Sequence, residues 1–144
     1  MLRIMAEPAN FEIRSNEAGA FLALEPDPKR GPHADDLEDG YWNATLSCGS
    51  LHASLRFYEI RLGGFAEYLE ALAEVWRGWS GERRWESLEG DVELIAVHDG
   101  RGTITLRAHL RTEAFAQHRW NASAELMLDA GGLDRLARQA RLLL

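Results

Sequence analysis

The sequence has little of several features on which many proteins depend. Its single cysteine, Cys48, excludes a disulfide within the chain, and its single lysine, Lys29, leaves no lysine where a phosphate-binding loop needs one. No run approaches the ~18 apolar residues of a membrane span. The first ten residues lack the charged start and apolar stretch of a signal peptide. These absences predict a soluble, cytoplasmic protein.

The charge balance narrows the classes of partner. Acidic residues number 23 and Lys plus Arg number 16, which gives a formal net charge of −7. A nucleic-acid binder needs clustered basic residues, and an anionic membrane repels an acidic surface, so we expect neither partner. The charge favours a basic protein partner, or serves only to keep the protein soluble. The 144 residues suffice for a single domain over 1–144 without a metal or disulfide.

Residues that could carry catalysis or bind metal are present but not in the required patterns. The five histidines have no metal-ligand spacing, and we expect them on the surface or at the edges of turns. No serine lies in a Gly-x-Ser-x-Gly elbow. Four glutamates on predicted strands are expected to face solvent: Glu59, Glu86, Glu93 and Glu125. We therefore predict no catalytic residues, no metal site and no cofactor.

Hydrophobic patterning predicts two helices and seven or eight strands, the segment at 84–88 being the one left open. Apolar and polar residues alternate, with turn residues between the segments, at 11–14, 20–25, 41–48, 51–57, 84–88, 92–98, 103–111 and 120–129. Because tight turns link many of these strands, we expect antiparallel pairing. The region at about 26–40 combines prolines, glycines and acidic residues, and we predict a mobile acidic loop there.

Two segments change to a helical period. Phe65, Leu69, Leu72 and Trp76 share one face of a helix over about 65–79, and leucines and alanines share one face over about 132–143. The predicted fold is α+β. A mainly antiparallel sheet of about six to eight strands packs on one long central helix at 65–79 and on the C-terminal helix at 132–143.

Two surface patches are the candidate binding sites. The first lies at the end of the long helix and combines aromatic and arginine side chains: Trp76, Trp79, Arg83, Arg84 and Trp85. Trp and Arg are enriched at binding hot spots, although core packing also accounts for the tryptophans. The second is the acidic loop with Asp35 and Asp36, which either steers a basic partner or is simply a solvated linker.

One resemblance extends over most of the chain from Tyr41 onward. Trp76-x-x-Trp79, then Trp85-x-Ser87-Leu88, and finally Trp120 opening a strand resemble a family of small bacterial proteins with a domain of unknown function. The resemblance implies no activity. The size, acidity and layout also resemble immunity proteins of bacterial toxin systems, which implies neutralisation of a basic partner such as a toxin domain.

Two functional hypotheses follow. The first is a non-enzymatic protein-binding module, in its most concrete form an immunity-type protein, present as a monomer or weak homodimer. The alternative is a small enzyme or ligand-binding domain that uses the open face of the sheet.

Overall fold

A computed structural model describes residues 10–27, 40–59 and 63–143 of the chain. Within these ranges the chain forms eight strands and two helices: β1 (Phe11–Arg14), β2 (Ala20–Pro26), β3 (Tyr41–Cys48), β4 (Leu51–Tyr58), α1 (Gly63–Glu74), β5 (Glu82–Glu86), β6 (Val92–His98), β7 (Thr103–Arg111), β8 (Asn121–Asp129) and α2 (Leu133–Arg141). The α+β class and the antiparallel pairing are confirmed. Neither helix is long and apolar enough to cross a membrane, within the same ranges.

The strands form two sheets, which corrects the prediction of one sheet with six to eight strands. β1 to β4 make the first sheet and β5 to β8 the second, each paired in sequence order. Every observed pairing within them is antiparallel and joins strands that follow one another along the chain. α1 separates β4 from β5, and these two strands become edges rather than partners. Strand patterning could not reveal this, because it reports which face is apolar and not which edges pair.

Each sheet has one buried apolar face, as the alternation predicts. Inward residues from both sheets and both helices form a shared hydrophobic cluster. Phe65 of α1 is fully buried, and its ring makes edge contacts with Phe11 of β1 at 5.3 Å and Trp85 of β5 at 5.2 Å. The sheets also contact each other directly through β3 with β8 and β4 with β7. One helical side chain therefore connects the edges of the two sheets.

The central helix ends earlier than predicted, at Glu74 instead of Trp79. Its last turn tightens, since the N–H groups of Val75 and Trp76 donate to carbonyls three residues back. Gly78 then takes φ of +150°, a backbone conformation that favours glycine. The predicted long central helix is therefore wrong: only its first part is helical, and the rest is a turn that leads into β5.

The C-terminal helix is present, but it is shorter than the predicted 132–143. A 3-10 turn at Ala130–Gly132 precedes α2, which buries Leu133, Ala137 and Ala140. α2 packs against α1, where the Arg141 guanidinium forms a two-point ion pair with the Glu70 carboxylate. This pair raises the pKa of Arg141 and lowers that of Glu70, because hydrogen bonding stabilises both charges.

Candidate functional site

Four of the described aromatic and arginine side chains lie together after α1. Trp76 is 46% exposed, and the guanidinium carbon of Arg77 lies 5.4 Å from the centre of its ring. Trp79 is half-buried, and the guanidinium carbon of Arg83 lies 5.8 Å from its ring centre. These geometries are cation–π contacts. We call Trp76, Arg77, Trp79 and Arg83 the aromatic–arginine patch.

A buried histidine attaches this patch to the second sheet. His98 at the end of β6 is 8% exposed, and its Nε2 lies 2.8 Å from the Trp76 carbonyl oxygen. The Gly100 N–H donates to its Nδ1 at 2.8 Å, so Nδ1 is unprotonated and Nε2 carries the proton donated to Trp76. His98 lies at the edge of the turn after β6, as expected, but it is buried rather than exposed. Its burial is favourable because the Trp76 carbonyl accepts its hydrogen bond.

The other side of the patch is held by Trp79 and Tyr68. The Trp79 ring packs edge-on against the His98 ring at 5.1 Å, and its Nε1–H donates to the Ala96 carbonyl at 3.4 Å. The Tyr68 hydroxyl of α1 donates to the carbonyl of Arg83 at 2.9 Å. Burial raises the pKa of Tyr68, so the hydroxyl remains a donor. The patch thus combines an exposed ring with a fixed backbone.

Arg84 and Trp85, which were also predicted for this site, make their contacts elsewhere. Arg84 follows Arg83 on β5 and so faces the opposite side of the sheet, where it pairs with Glu93 at 3.5 Å. Trp85 is half-buried and packs on the core ring of Phe65. Asp35 and Asp36, with most of the predicted acidic loop, lie outside the described residues. Within β5, neighbouring residues point to opposite faces, so sequence proximity was misleading.

A polar network on the outer face of the second sheet was missed by sequence reasoning. Glu93 on β6 is 8% exposed, although its position alternates with core residues. Its carboxylate lies 3.5 Å from Arg84 and 3.2 Å from Arg111, with the His109 Nδ1 at 3.9 Å. The expectation that Glu93 faces solvent was wrong, because long arginine side chains from neighbouring strands cover it.

The network extends across all four strands of the second sheet. Arg111 also approaches the His109 Nδ1 at 3.4 Å, and the His109 Nε2 lies 3.4 Å from the Asn121 side-chain oxygen. Cross-strand register explains the grouping, since Glu93 lies opposite His109 and Arg111 lies opposite Asn121. The sequence could have indicated this network, because charged residues occupy the outward-facing alternate positions of adjacent strands.

Glu59 lies where the first sheet meets the turn between β5 and β6. Its carboxylate accepts the Leu88 N–H at 2.8 Å. Burial raises the pKa of Glu59, the Leu88 hydrogen bond opposes that shift, and the Asp91 carboxylate adds to it. Asp91 itself accepts a 2.6 Å bond from the buried Ser87 hydroxyl. These contacts fix the turn, so a structural role accounts for both carboxylates.

A cavity of about 820 Å³ is lined by β1, the end of β8 and α2, and α2 also contacts β1 directly. One wall is β1 with Asn10 and Asn16 at its ends, and the other is α2 with the two leucines that follow it. Leu128 and Asp129 at the end of β8 contribute to its floor. We call this cavity the β1–α2 groove.

The loop between β7 and β8 presents a nearly bare aromatic ring. Phe115 is 98% exposed. The loop is closed at its base, since Thr112 and Trp120 exchange three hydrogen bonds of 3.0 to 3.2 Å. In the part of the chain that the structure describes, no group of three or more His, Cys, Asp or Glu is arranged to hold a metal ion.

Comparison with known proteins identifies a family but no activity. The family of unknown function DUF6228 matches residues 15–144, which is most of the chain. The chain belongs to this family. No curated protein matches it.

Proposed function

We propose that this member of DUF6228 is a non-enzymatic protein-binding module whose binding face is the aromatic–arginine patch. The observation that carries the proposal is Trp76, whose side chain is 46% exposed while its carbonyl is held by a buried histidine. Exposed tryptophan beside arginine is the composition of binding hot spots. A fixed backbone also reduces the entropy lost when a partner binds.

The chemistry of the patch indicates which groups of a partner protein it would contact. Arg77 and Arg83 offer guanidinium groups beside aromatic rings, and they match carboxylates or backbone carbonyls on a partner. The net charge of −7 favours a partner that is basic as a whole, which the remaining acidic surface would steer into contact. An immunity-type protein that neutralises a basic toxin domain in the cytoplasm has these properties. The protein itself would be a monomer or a weak homodimer.

Affinity capture with matched variants tests this proposal. The tagged chain is exposed to lysate of the cells that encode it, and retained proteins are identified and quantified by mass spectrometry. Trp76→Ala and Arg83→Ala should each reduce retention of the partner at least about tenfold, equivalent to ~1.4 kcal/mol. Arg107→Ala is the control, because Arg107 is on the outer face of the second sheet and pairs only at 4.0 Å with Glu125.

Trp79 is a poor choice for this experiment, because its ring packs on His98 and its Nε1–H is bonded to Ala96. Removing it would disturb the fold as well as the surface. If a stoichiometric partner is retained equally by wild type, Trp76→Ala and Arg83→Ala, the patch is not its binding face. If nothing is retained and the purified chain carries a small metabolite, the binding-module proposal fails.

A second candidate is a small-ligand or enzyme site on the outer face of the second sheet. The buried Glu93 carboxylate, with Arg84, Arg111 and His109 around it, favours this alternative. Native mass spectrometry of the purified chain tests it, since a ligand held there should be lost in Arg111→Ala and kept in Trp76→Ala. The reverse pattern would reject the sheet-face site.

A further inference from the structure

We propose that two copies of this chain associate through the free edges of their β4 strands, which pair antiparallel about Ala53 and join the two first sheets into one. This surface is separate from the aromatic–arginine patch, because the two share no residue. The inference goes beyond the proposed function, since it assigns the surface through which the chain binds itself.

The phase of the β3–β4 ladder shows which backbone groups of β4 are free. The Glu59 N–H donates to the Gly40 carbonyl at 2.6 Å, and hydrogen-bonded positions alternate along an antiparallel pair. His52, Ser54 and Arg56 therefore direct their N–H and C=O groups away from β3. β4 is the outermost strand of its sheet, and within the described residues these groups have no backbone partner.

The inward face of β4 is incompletely covered. Leu51, Ala53 and Leu55 pack against the core but are only partly buried, whereas Phe57 further along the strand is 1% exposed. A strand added to the edge would cover the sides of these three residues that now face solvent, and burial of apolar surface is favourable.

The other three strand edges are protected, among the residues that the structure describes. On β1 the inward residues Phe11 and Ile13 are buried, and α2 contacts this strand beside the β1–α2 groove. The β8 edge is occupied at Met127, which accepts the Asn16 N–H at 2.7 Å and donates to the Ser15 hydroxyl at 3.0 Å. Four of the five residues of β5 are charged. Covering elements and charges are the usual protection of an edge, and the middle of β4 has neither.

The order of residues in β4 matches a second copy of the same strand. The segment Leu51-His52-Ala53-Ser54-Leu55 has the same apolar pattern in both directions, so an antiparallel pair centred on Ala53 places each Leu51 opposite Leu55 of the other copy. His52 then lies opposite Ser54, and their free backbone groups form about four hydrogen bonds between the chains. A two-fold interface requires such self-complementarity, which an unrelated segment would match only by chance.

The charges near the edge permit this register. Arg56 is the only Asp, Glu, Lys or Arg in β4, and its guanidinium pairs with Asp27 at 2.5 Å and lies 3.7 Å from the centre of the Tyr41 ring. In the pair about Ala53 it lies opposite position 50, so the two arginines are far apart. The net charge of −7 on each chain opposes association, and the paired segment is smaller than the ~800 Å² per partner of a standard interface. The dimer should therefore be weak and strengthened by salt.

Single cysteines test the register of the proposed pair. All variants also carry Cys48→Ala, which removes the free thiol of the native chain. In Ala53→Cys the two equivalent positions meet on the two-fold axis with Cα atoms about 4.5 Å apart, within disulfide range. In His52→Cys and Ser54→Cys the equivalent positions are diagonal and about 7–8 Å apart, beyond that range. Ser123→Cys, exposed on the β8 edge, is the control for random encounter.

The expected result is selective bridging at the axis. At equal concentration in a glutathione buffer, Ala53→Cys should form at least about tenfold more covalent dimer than each of the other three cysteine variants, as measured by intact mass. Sedimentation velocity of the wild type from about 5 to 500 μM should show the mass rise from that of one chain toward that of two. Ser54→Pro loses an outward N–H at an edge position that tolerates proline, and it should weaken this association at least about tenfold, while Ser54→Ala should stay within about twofold.

Two results would overturn the proposal. One is a wild-type chain that sediments as a monomer over the whole concentration range. The other is covalent dimer that forms equally in Ala53→Cys and Ser123→Cys, or more readily at a position other than 53. The wild-type sedimentation decides the question even if a cysteine variant fails to fold. Neither result bears on the patch, which is tested separately through Trp76.

Discussion

His98 donates a hydrogen bond from Nε2 to the carbonyl oxygen of Trp76, across 2.8 Å and 22 positions of sequence. That carbonyl lies just beyond the last residue of α1, in the region where helix carbonyls lose their partners along the chain. The bond therefore fixes the turn after the helix and the backbone of the exposed Trp76 together. Stability and the proposed binding surface are coupled through one imidazole.

Replacing His98 with phenylalanine tests how much its hydrogen bonds stabilise the fold. His98→Phe retains a ring of similar size but loses the bonds to Trp76 and Gly100, so we expect the free energy of unfolding to fall by about 1–3 kcal/mol. Urea denaturation followed by circular dichroism measures the change. His52→Phe is the control, since His52 is exposed on β4, and it should change stability by less than ~0.5 kcal/mol. Equal effects of both variants would mean that the His98 bonds do not stabilise the fold.

The buried Glu93 carboxylate on the outer face of the second sheet should contribute more to stability than an exposed carboxylate does. Glu93→Gln removes the charge that faces Arg84 and Arg111, and we expect a loss of about 1–3 kcal/mol. Glu125→Gln is the matched control, because Glu125 is exposed and lies 4.0 Å from Arg107. Its cost should be about 0–1 kcal/mol. Chemical denaturation of both variants at low and high salt tests this, and comparable losses would contradict the assigned role of burial.

The raised pKa of Glu59 predicts that its contribution to stability increases as the pH falls, which is opposite to the usual behaviour of a carboxylate. Because its folded-state pKa lies above the ordinary 4.5, the folded state binds more protons than the unfolded state between these two values. The contribution of Glu59 to stability therefore increases as pH falls through the folded-state pKa. Glu59→Gln can still accept the Leu88 N–H without a charge, so it should match or exceed wild-type stability near pH 7.

This advantage of Glu59→Gln should shrink as pH falls toward 4.5, where wild-type Glu59 becomes neutral. Thermal or urea unfolding of both proteins over this range gives the difference directly. Glu59→Ala serves as the control, because it removes the charge and also the acceptor for Leu88, and it should be less stable than Glu59→Gln throughout. An advantage of Glu59→Gln that grows in acid would show that the sign is wrong.

Phe65 should be among the most sensitive positions in the core. It is fully buried and contacts the rings of Phe11 and Trp85, which belong to different sheets. Phe65→Ala should therefore cost about 3–5 kcal/mol, from lost burial and the cavity left behind. Phe115→Ala removes an identical group that is 98% exposed and should cost almost nothing. A small loss in Phe65→Ala, seen by calorimetry, would mean that the sheets do not depend on this contact.

Proximity in sequence predicted only some of the residues that the structure brings together in the candidate site. Trp76, Trp79 and Arg83 were predicted as part of one patch, and the structure brings them together around His98. Arg84 was assigned to the same patch but joins Glu93 on the opposite face. The alternation of strand residues contained this information once β5 was placed, yet the predicted strand began at Arg84, after Arg83.

Local pattern determined much of the secondary structure. The strands at 41–48, 92–98 and 103–111 have the predicted bounds, because alternation with period two and the turn glycines act over a few residues. The Asp99 turn forms as expected, with its carboxylate accepting the N–H groups of Arg101 and Thr103. Such features require no contact with distant parts of the chain.

Tertiary structure alone decided where α1 ends, how the strands divide between two sheets, and which charged side chains are buried. The apolar stripe continues past Glu74 to Trp76, but His98 on β6 donates a hydrogen bond to the Trp76 carbonyl and the chain turns. Glu93 has the outward parity of a solvated residue, but arginines from β5 and β7 cover it. In each case the deciding partner is distant in sequence, so its hydrogen bond or charge is absent from the local pattern.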